Sequence, residues 1–364
     1  MSESHAEARA FDINAAGAFA EKAADIINTG AVAVMMSIGH RTGLFDTLAA
    51  LPPSTSEGIA RAAGLDERYV REWLAVMVMG GIVNYDPVGS LYELPSEHGA
   101  SLTRDAQLGN IAVYAQTVAL MGAVQEPILE RFATGAGMSY GDYPCFHEFM
   151  AEDSGQTVVP QLVDTILPLA EGLVDRLRAG IDALDAGCGR GQALIAMAEH
   201  FPASRFVGYD LCEDAVDYAS RTARSKGLGN IRFEVRDLTH FDEAERYDLV
   251  TSFDAVHDQK DPQDLLRRLY RSLRRDGVYL MQDIGGSARL ENNHEFPMAA
   301  LLYAVSCIHC TPVSLAQGGE GLGTMWGWET AQGMLSQAGF DGIERNMLPH
   351  DPMNVWFVAR RPGA

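Results

Sequence analysis

Cysteine is scarce: there are five in 364 residues, at positions 145, 188, 212, 307 and 310, an odd number without the dense spacing of a disulfide scaffold. A reducing, cytoplasmic setting is therefore expected. Positive charge is short as well. Lys and Arg total 28 against 49 Asp and Glu, a formal net charge of −21, which works against a nucleic-acid partner because such affinity comes mostly from cations neutralising phosphates. Long apolar runs are also missing. The stretch read as most apolar, Ala31 to Ile38, is far shorter than a bilayer span and meets Gly39, His40 and Arg41 at once, so no membrane helix is expected. The opening Met1 to Glu7 is polar and acidic where a secretory signal is basic and then apolar. What is present is ordinary for a globular chain, 47% hydrophobic and 21% charged, with a length that suggests two compact units.

From Gly17 to Ile38, apolar residues recur as Phe19, Ala23, Ile26, Ile27 and Val34, the spacing of a helix with one apolar face. Ser54-Thr55-Ser56 offers a helix start, Gly64-Leu65-Asp66 a turn, and Val70, Leu74, Met77 and Val78 the stripe of the next helix. Ile82 to Tyr85 and Leu91 to Leu94 then flank a turn at Asp86 to Ser90, so residues 44–95 read as a winged helix. Only Arg61, Arg68 and Arg71 face seven acids there, which favours dimerisation through this region over DNA binding. Helices are expected over 108–133 and 157–178, and the Gly-rich, Tyr-bearing connector from Thr134 to Pro144 is a candidate cover for a ligand.

From Ile181 the texture changes to apolar strands alternating with amphipathic helices, the pattern of a doubly wound α/β sheet. Strands are expected near 181–185, 205–210, 231–236, 247–252, 277–283, 342–347 and 354–360. The helix before the fifth is well marked, with Asp261 as cap, Pro262 in its first turn, and Leu265, Leu269 and Leu273 on one face. Arg271, Arg274 and Arg275 are expected at its end.

The first of these strands runs into Asp185-Ala186-Gly187-Cys188-Gly189-Arg190-Gly191, with a helix from Ala193 to follow. Asp210 closes the second strand and Asp237 the third, so three acids arrive at one sheet edge. A dinucleotide site prefers G-x-G-x-x-G. Here the run is G-x-G-x-G, and Asp185 would repel a pyrophosphate while attracting the ammonium of a methionine moiety. The pattern therefore points to S-adenosylmethionine and away from a nicotinamide-dependent oxidoreductase.

With Leu184 to Gly191, Asp210, Asp237-Leu238 and Tyr247 to Val250, the chain from 180 to 364 resembles the class I S-adenosylmethionine-dependent methyltransferases. The whole layout is similar to winged-helix methyltransferases of actinobacterial type and to small-molecule O-methyltransferases that dimerise through their amino-terminal domains. The resemblance implies a Rossmann-like seven-stranded sheet with its last strand antiparallel. It implies a domain at 1–105 for dimerisation, a helical connector at 106–179 and a cofactor domain at 180–364. It places Asp185, Gly187, Cys188, Gly189 and Gly191 around the methionine part, Asp210 at the ribose, Leu211 on the adenosine, Asp237 and Leu238 at the adenine, and Phe253 in the same site.

Methyl transfer requires the acceptor to be held in line with the methyl carbon, and a hydroxyl acceptor must also lose its proton. His257, just after the fourth strand, is the candidate base, and His257-Asp258 is similar to the His-Asp pair of plant-type O-methyltransferases, with Gln259 where Trp is usual there. Residues 286–326 resemble a helical lid, with Met298, Tyr303, Met325 and Trp326 as candidate pocket walls. Cys307-Ile308-His309-Cys310 offers soft ligands, yet one such pair lacks a second half, and no metal site is expected. The activity expected is transfer of a methyl group to a small organic acceptor, oxygen foremost. A winged-helix regulator that senses the same cofactor and binds DNA is the alternative.

Overall fold

The computed structural model describes residues 11–106 and 109–363, so the reading of the first seven residues lies outside them. The chain divides into two compact units, residues 1–119 and 120–364. The connector expected over 106–179 is thereby split.

In the first unit a long helix, α1 (Ile13–Thr42), starts where the Asp12 side chain accepts from the Asn14 and Ala15 backbone N–H groups. It stops at Gly43, which adopts the left-handed conformation with φ 72°. Helices Ser56–Ala63 and Glu67–Met79 follow, capped by Thr55 and Asp66 and separated by a left-handed Gly64. Strands β1 (Asn84–Asp86) and β2 (Leu91–Glu93) pair antiparallel. Phe45, Ile59, Val70, Trp73, Leu74 and Met77 fill the core of this winged helix. The apolar residues of α1 are largely open on the single chain: Phe19, Ile26 and Ile27 are 69%, 61% and 75% exposed.

The second unit is built on a seven-stranded sheet of β3 (Asp182–Ala186), β4 (Arg205–Asp210), β5 (Ile231–Val235), β6 (Tyr247–Phe253), β7 (Leu273–Ile284), β8 (Asp341–Leu348) and β9 (Asp351–Arg360). Their order is β5-β4-β3-β6-β7-β9-β8, with β9 antiparallel to both neighbours and the first five parallel. This is the class I methyltransferase sheet expected from the sequence. Both faces are buried, so alternate residues serve separate cores. Leu184, Val207, Val250, Tyr279 and Phe357 pack on one side, and Ala183, Phe206, Leu249, Leu280 and Trp356 on the other.

Three sequence expectations change. The helix Pro262–Ser272 ends before Leu273, which opens β7, and Arg274 turns back to bind Asp182 and Asp248 instead of closing the helix. The helix expected over 157–178 is broken into short turns between Val159 and Leu169, because Pro160 and Pro168 lack the N–H a continuous helix needs, and resumes at Leu173–Ala179. The segment 286–326 carries one continuous helical run, Ala299–Ala316, long and apolar enough by length and composition to cross a membrane, which exceeds the expected maximum at Ala31 to Ile38. Within its unit this run is tied by Tyr143 Oη donating to the Ile308 carbonyl and by Ser314 Oγ donating to the Gln259 carbonyl.

Leu280, wholly buried in the sheet, should cost about 2–5 kcal/mol when changed to Ala. Leu290→Ala, at a position 67% exposed, should stay within about 0.5 kcal/mol. Urea unfolding followed by circular dichroism gives both numbers, and equal effects would contradict the core described.

Candidate active site

The parallel strands β3, β4 and β5 end on one edge, and the chain turns sharply after β3. Gly187, Gly189 and Gly191 all have positive φ, at 79°, 50° and 72°. They differ in what surrounds them. A Cβ on Gly187 would lie 2.5 Å from the Ala255 side chain and one on Gly191 2.6 Å from the Phe233 ring, whereas one on Gly189 would meet nothing within 4 Å. Gly187 and Gly191 thus allow close packing of the chain on itself, and Gly189 leaves open space for a ligand.

Asp210, at the end of β4, fastens this loop. Its Oδ2 accepts from the Gly189 N–H at 2.8 Å and its Oδ1 from the Cys212 N–H at 2.9 Å. Asp237 caps the turn after β5, accepting from the Thr239 N–H and hydroxyl at 2.8 and 2.7 Å. Asp185 is buried, held by the Thr251 hydroxyl at 2.8 Å. Burial, with Asp210 adding repulsion and Thr251 opposing, pushes the Asp185 carboxyl up to about 7.

These groups line one cleft of about 1020 Å³, its mouth included. Asp185, Gly187, Cys188, Gly189, Gly191, Asp210, Leu211, Asp237, Leu238 and Phe253, the ten residues expected around a cofactor, all lie on its wall. So do five carboxyl groups, Asp185, Asp210, Asp237, Asp254 and Asp258, against two guanidinium groups. Arg190 and Arg236 are tied to Glu148 and Glu243. A cleft so weighted suits a cationic ligand and repels a pyrophosphate. It fits S-adenosylmethionine, whose ammonium and sulfonium are positive, with open space at Gly189 and carboxylates at two further strand ends.

The facing wall comes from residues the sequence singled out less clearly. Tyr140, in the Gly-rich connector, donates to Asp258 Oδ2 at 3.1 Å, and burial together with that carboxylate holds its phenol well above its ordinary pKa. Phe146, His147 and Met150, on helix Phe146–Thr157, line the cleft too. No spacing in the sequence announced them.

His257 stands elsewhere. It is 3% exposed and absent from the cleft wall, which its neighbour Asp258 reaches. Its Nδ1 bonds Asp283 Oδ1 at 2.8 Å, and its Nε2 lies 3.4 Å from Asp258 Oδ1. Burial opposes charging the ring, but Asp283 and Asp258 outweigh it and hold the imidazole well above its usual pKa. The pocket walls expected from 286–326 also move. Met325 and Trp326 are buried in core, Met298 and Tyr303 do not line the cleft, and Trp326 Nε1 donates to Asp283 Oδ1 at 2.8 Å. From that segment it is Gln317 that reaches the wall. Cys307 and Cys310 do not act as a pair, since Cys307 is exposed and Cys310 buried.

Residues 177–339 match the family model of a methyltransferase domain, and residues 30–104 match that of an Rv2258c-like winged helix-turn-helix domain. The methyltransferase ungE' of Aspergillus campestris is 28% identical over 189 residues, 48% of this chain and 52% of that protein. Nocamycin O-methyltransferase of Saccharothrix syringae is 34% identical over 119 residues, 32% of this chain and 42% of that one. The match thus spans about half the length of these curated relatives. The crystal structure of human N-acetylserotonin methyltransferase in complex with SAM superposes with a TM-score of 0.66 at 17% identity, covering 98% of this chain and 100% of that one, which shows a shared fold.

Asp185 yields a pH prediction. Its folded pKa, about 7, exceeds the ordinary 3.8. The ionised form is therefore disfavoured on folding, and a stability cost appears as pH rises above about 4 and is complete above about 7, reaching roughly 4 kcal/mol at most. Asp185→Asn should remove that component, so the stability of the variant relative to the parent should rise between pH 4 and pH 8. A pH-independent difference in urea midpoints would contradict the burial argument.

Proposed function

We propose that this chain, a methyltransferase by its domain at 177–339, moves a methyl group from S-adenosylmethionine to a small organic molecule, with an oxygen as the foremost acceptor. The observation that carries this is the convergence of the open loop at Gly189 with Asp185, Asp210 and Asp237 on one acidic cleft. When bound, the cofactor supplies an electrophilic methyl carbon on a sulfonium. The protein's own residues do the rest. Asp185 meets the ammonium, Asp210 has lone pairs left for ribose hydroxyls beyond its two backbone bonds, and Asp237 with Leu238 frames the adenine.

The acceptor enters against Tyr140, Phe146 and Asp258. Asp258, which lines the cleft, is the carboxylate placed to take the acceptor's proton. His257, which the sequence suggested as the base itself, stands behind it with Asp283 and so acts through Asp258. The winged helix serves assembly in this reading. Phe19, Ile26 and Ile27 on α1 offer an exposed apolar face to a second copy, while Arg68 and Arg71 are spent on Glu72 and Glu67. That pairing, with the net acidity of the chain, weighs against the DNA-binding regulator. The five free cysteines suit a reducing, cytoplasmic setting.

Labelled methyl transfer to a panel of hydroxyl, amine and thiol metabolites tests the reading. Asp258→Asn and His257→Ala should lower turnover by roughly 10²-fold or more with cofactor affinity changed less than about threefold. Full turnover in both variants would remove this pair from the reaction. Sedimentation should show a dimer that Ile27→Glu turns into a monomer.

A further inference from the structure

Behind the cleft wall lies a polar cluster that the methyl-transfer reading uses only in part. His257, Asp258 and Cys310 are 3%, 5% and 5% exposed, and one ligand-capable atom of each lies within 4.8 Å of the others. The imidazole is oriented for coordination, because its Nδ1 is committed to Asp283 and its Nε2 turns toward Asp258. That is the carboxylate–histidine arrangement found around bound metals, in which the carboxylate fixes the ring and raises its basicity. Asp283 is itself fixed by Trp326 Nε1 at 2.8 Å. Thr324 Oγ1 donates to Cys310 Sγ at 2.9 Å, and Tyr140 Oη to Asp258 Oδ2 at 3.1 Å. Each candidate ligand thus has its own supporting bond.

Other observations point to a cation. Asp258 Oδ1, facing the His257 Nε2, is buried with no hydrogen-bond partner, and Asp283 Oδ2 is in the same condition. Buried carboxylate oxygens of this kind are costly unless something positive meets them, and the one His257 ring is shared between the two carboxylates. Among the described residues neither carboxylate is paired with Lys or Arg, only with histidine. The helix that supplies Cys310 is locally widened to a π turn over Ser306–Cys310, a distortion that recurs at functional sites. The other group of similar composition, His147, Cys212 and Asp214, has a widely exposed Asp214 and no orphaned atom.

We propose that His257 Nε2, Asp258 Oδ1 and Cys310 Sγ bind a divalent transition-metal ion of the zinc class just behind the cleft wall, with a fourth coordination position left over. One nitrogen, one oxygen and one sulfur donor suit zinc and exclude magnesium or calcium as the preferred ion. Tetrahedral zinc sets its donors about 3.3–3.8 Å apart. The His257–Asp258 pair is already at 3.4 Å, so the ion needs only to draw Cys310 inward. Binding displaces the Cys310 thiol proton and any proton on His257 Nε2 to solvent. Three protein ligands with an open fourth position is the pattern of a catalytic site. With the ion bound, Asp258 is its ligand and not the proton acceptor of the methyl-transfer reading, and binding of the ion does not rest on that reading. The sequence did not show the site because Cys310 stands far along the chain from His257, and the Cys307-x-x-Cys310 spacing drew attention to the wrong partner.

The test uses the full chain, stripped with chelator, reloaded with zinc sulfate, desalted and analysed by plasma mass spectrometry, with a parallel sample loaded with cobalt(II). Wild type should retain about one zinc per chain, and the cobalt form should show a thiolate-to-cobalt charge-transfer band. Cys310→Ser and Asp258→Asn should each lower retained zinc at least about tenfold, and Cys310→Ser should abolish the band. Cys307→Ser and Cys212→Ser should change neither. Retention of zinc by wild type below about one tenth per chain, or equal retention by Cys310→Ser, would overturn the proposal, as would a cobalt form lacking the thiolate band. Cofactor binding, measured calorimetrically on the stripped protein, keeps the two ideas apart. A chain that binds the cofactor and transfers methyl groups without zinc loses this site alone.

Discussion

The carboxylate of Asp210 does more to shape this site than any other group. A loop with three glycines in the left-handed region has little reason to hold one conformation, and Asp210 removes that freedom by accepting from the Gly189 and Cys212 backbones at once. One side chain thereby joins the end of β4, the loop after β3 and the start of the helix Glu213–Ser225. The cost of placing a carboxylate beside buried Asp185 is met by those two N–H groups. Because the loop is fixed before any ligand arrives, ordering it need not be drawn from binding energy.

From that anchor the cleft follows as an electrostatic consequence. Parallel strands deliver acids to one edge, the glycines keep bulk away, and the two guanidinium groups nearby are tied to Glu148 and Glu243. The result is a site of one sign. It selects a positively charged ligand on one side and, through Asp258 with Tyr140, presents a proton acceptor on the other. The buried layer of His257, Asp283 and Trp326 behind that wall keeps Asp258 in place.

Much of this was legible in the chain because it depends on local pattern. Apolar runs alternating with amphipathic helices marked the strands, and acids at strand ends beside G-x-G-x-G marked the cleft. Helix caps were readable as well, as at Thr55 in the Ser54-Thr55-Ser56 start and at Asp261. What could not be read depends on contacts between distant residues. The end of the helix at Ser272 is set by pairing of Leu273 with Tyr247 and by Arg274 reaching Asp182 and Asp248. No propensity contains that. His257 looked like a cleft residue by its place after β6, but Asp283 draws the ring inward and leaves Asp258 at the surface of the cavity. Phe146 and Gln317 reach the wall through packing alone, whereas Tyr140 lies in the connector that the sequence offered as a cover, and apolar residues of 286–326 that resembled pocket walls form core.

The central claim is that the cleft at the ends of β3, β4 and β5 holds S-adenosylmethionine, and calorimetric titration of the full chain with this cofactor tests it most directly. The account predicts one binding site per chain, abolished in Asp210→Lys while circular dichroism stays unchanged. Absence of binding in the wild type, or binding that Asp210→Lys leaves intact, would contradict it.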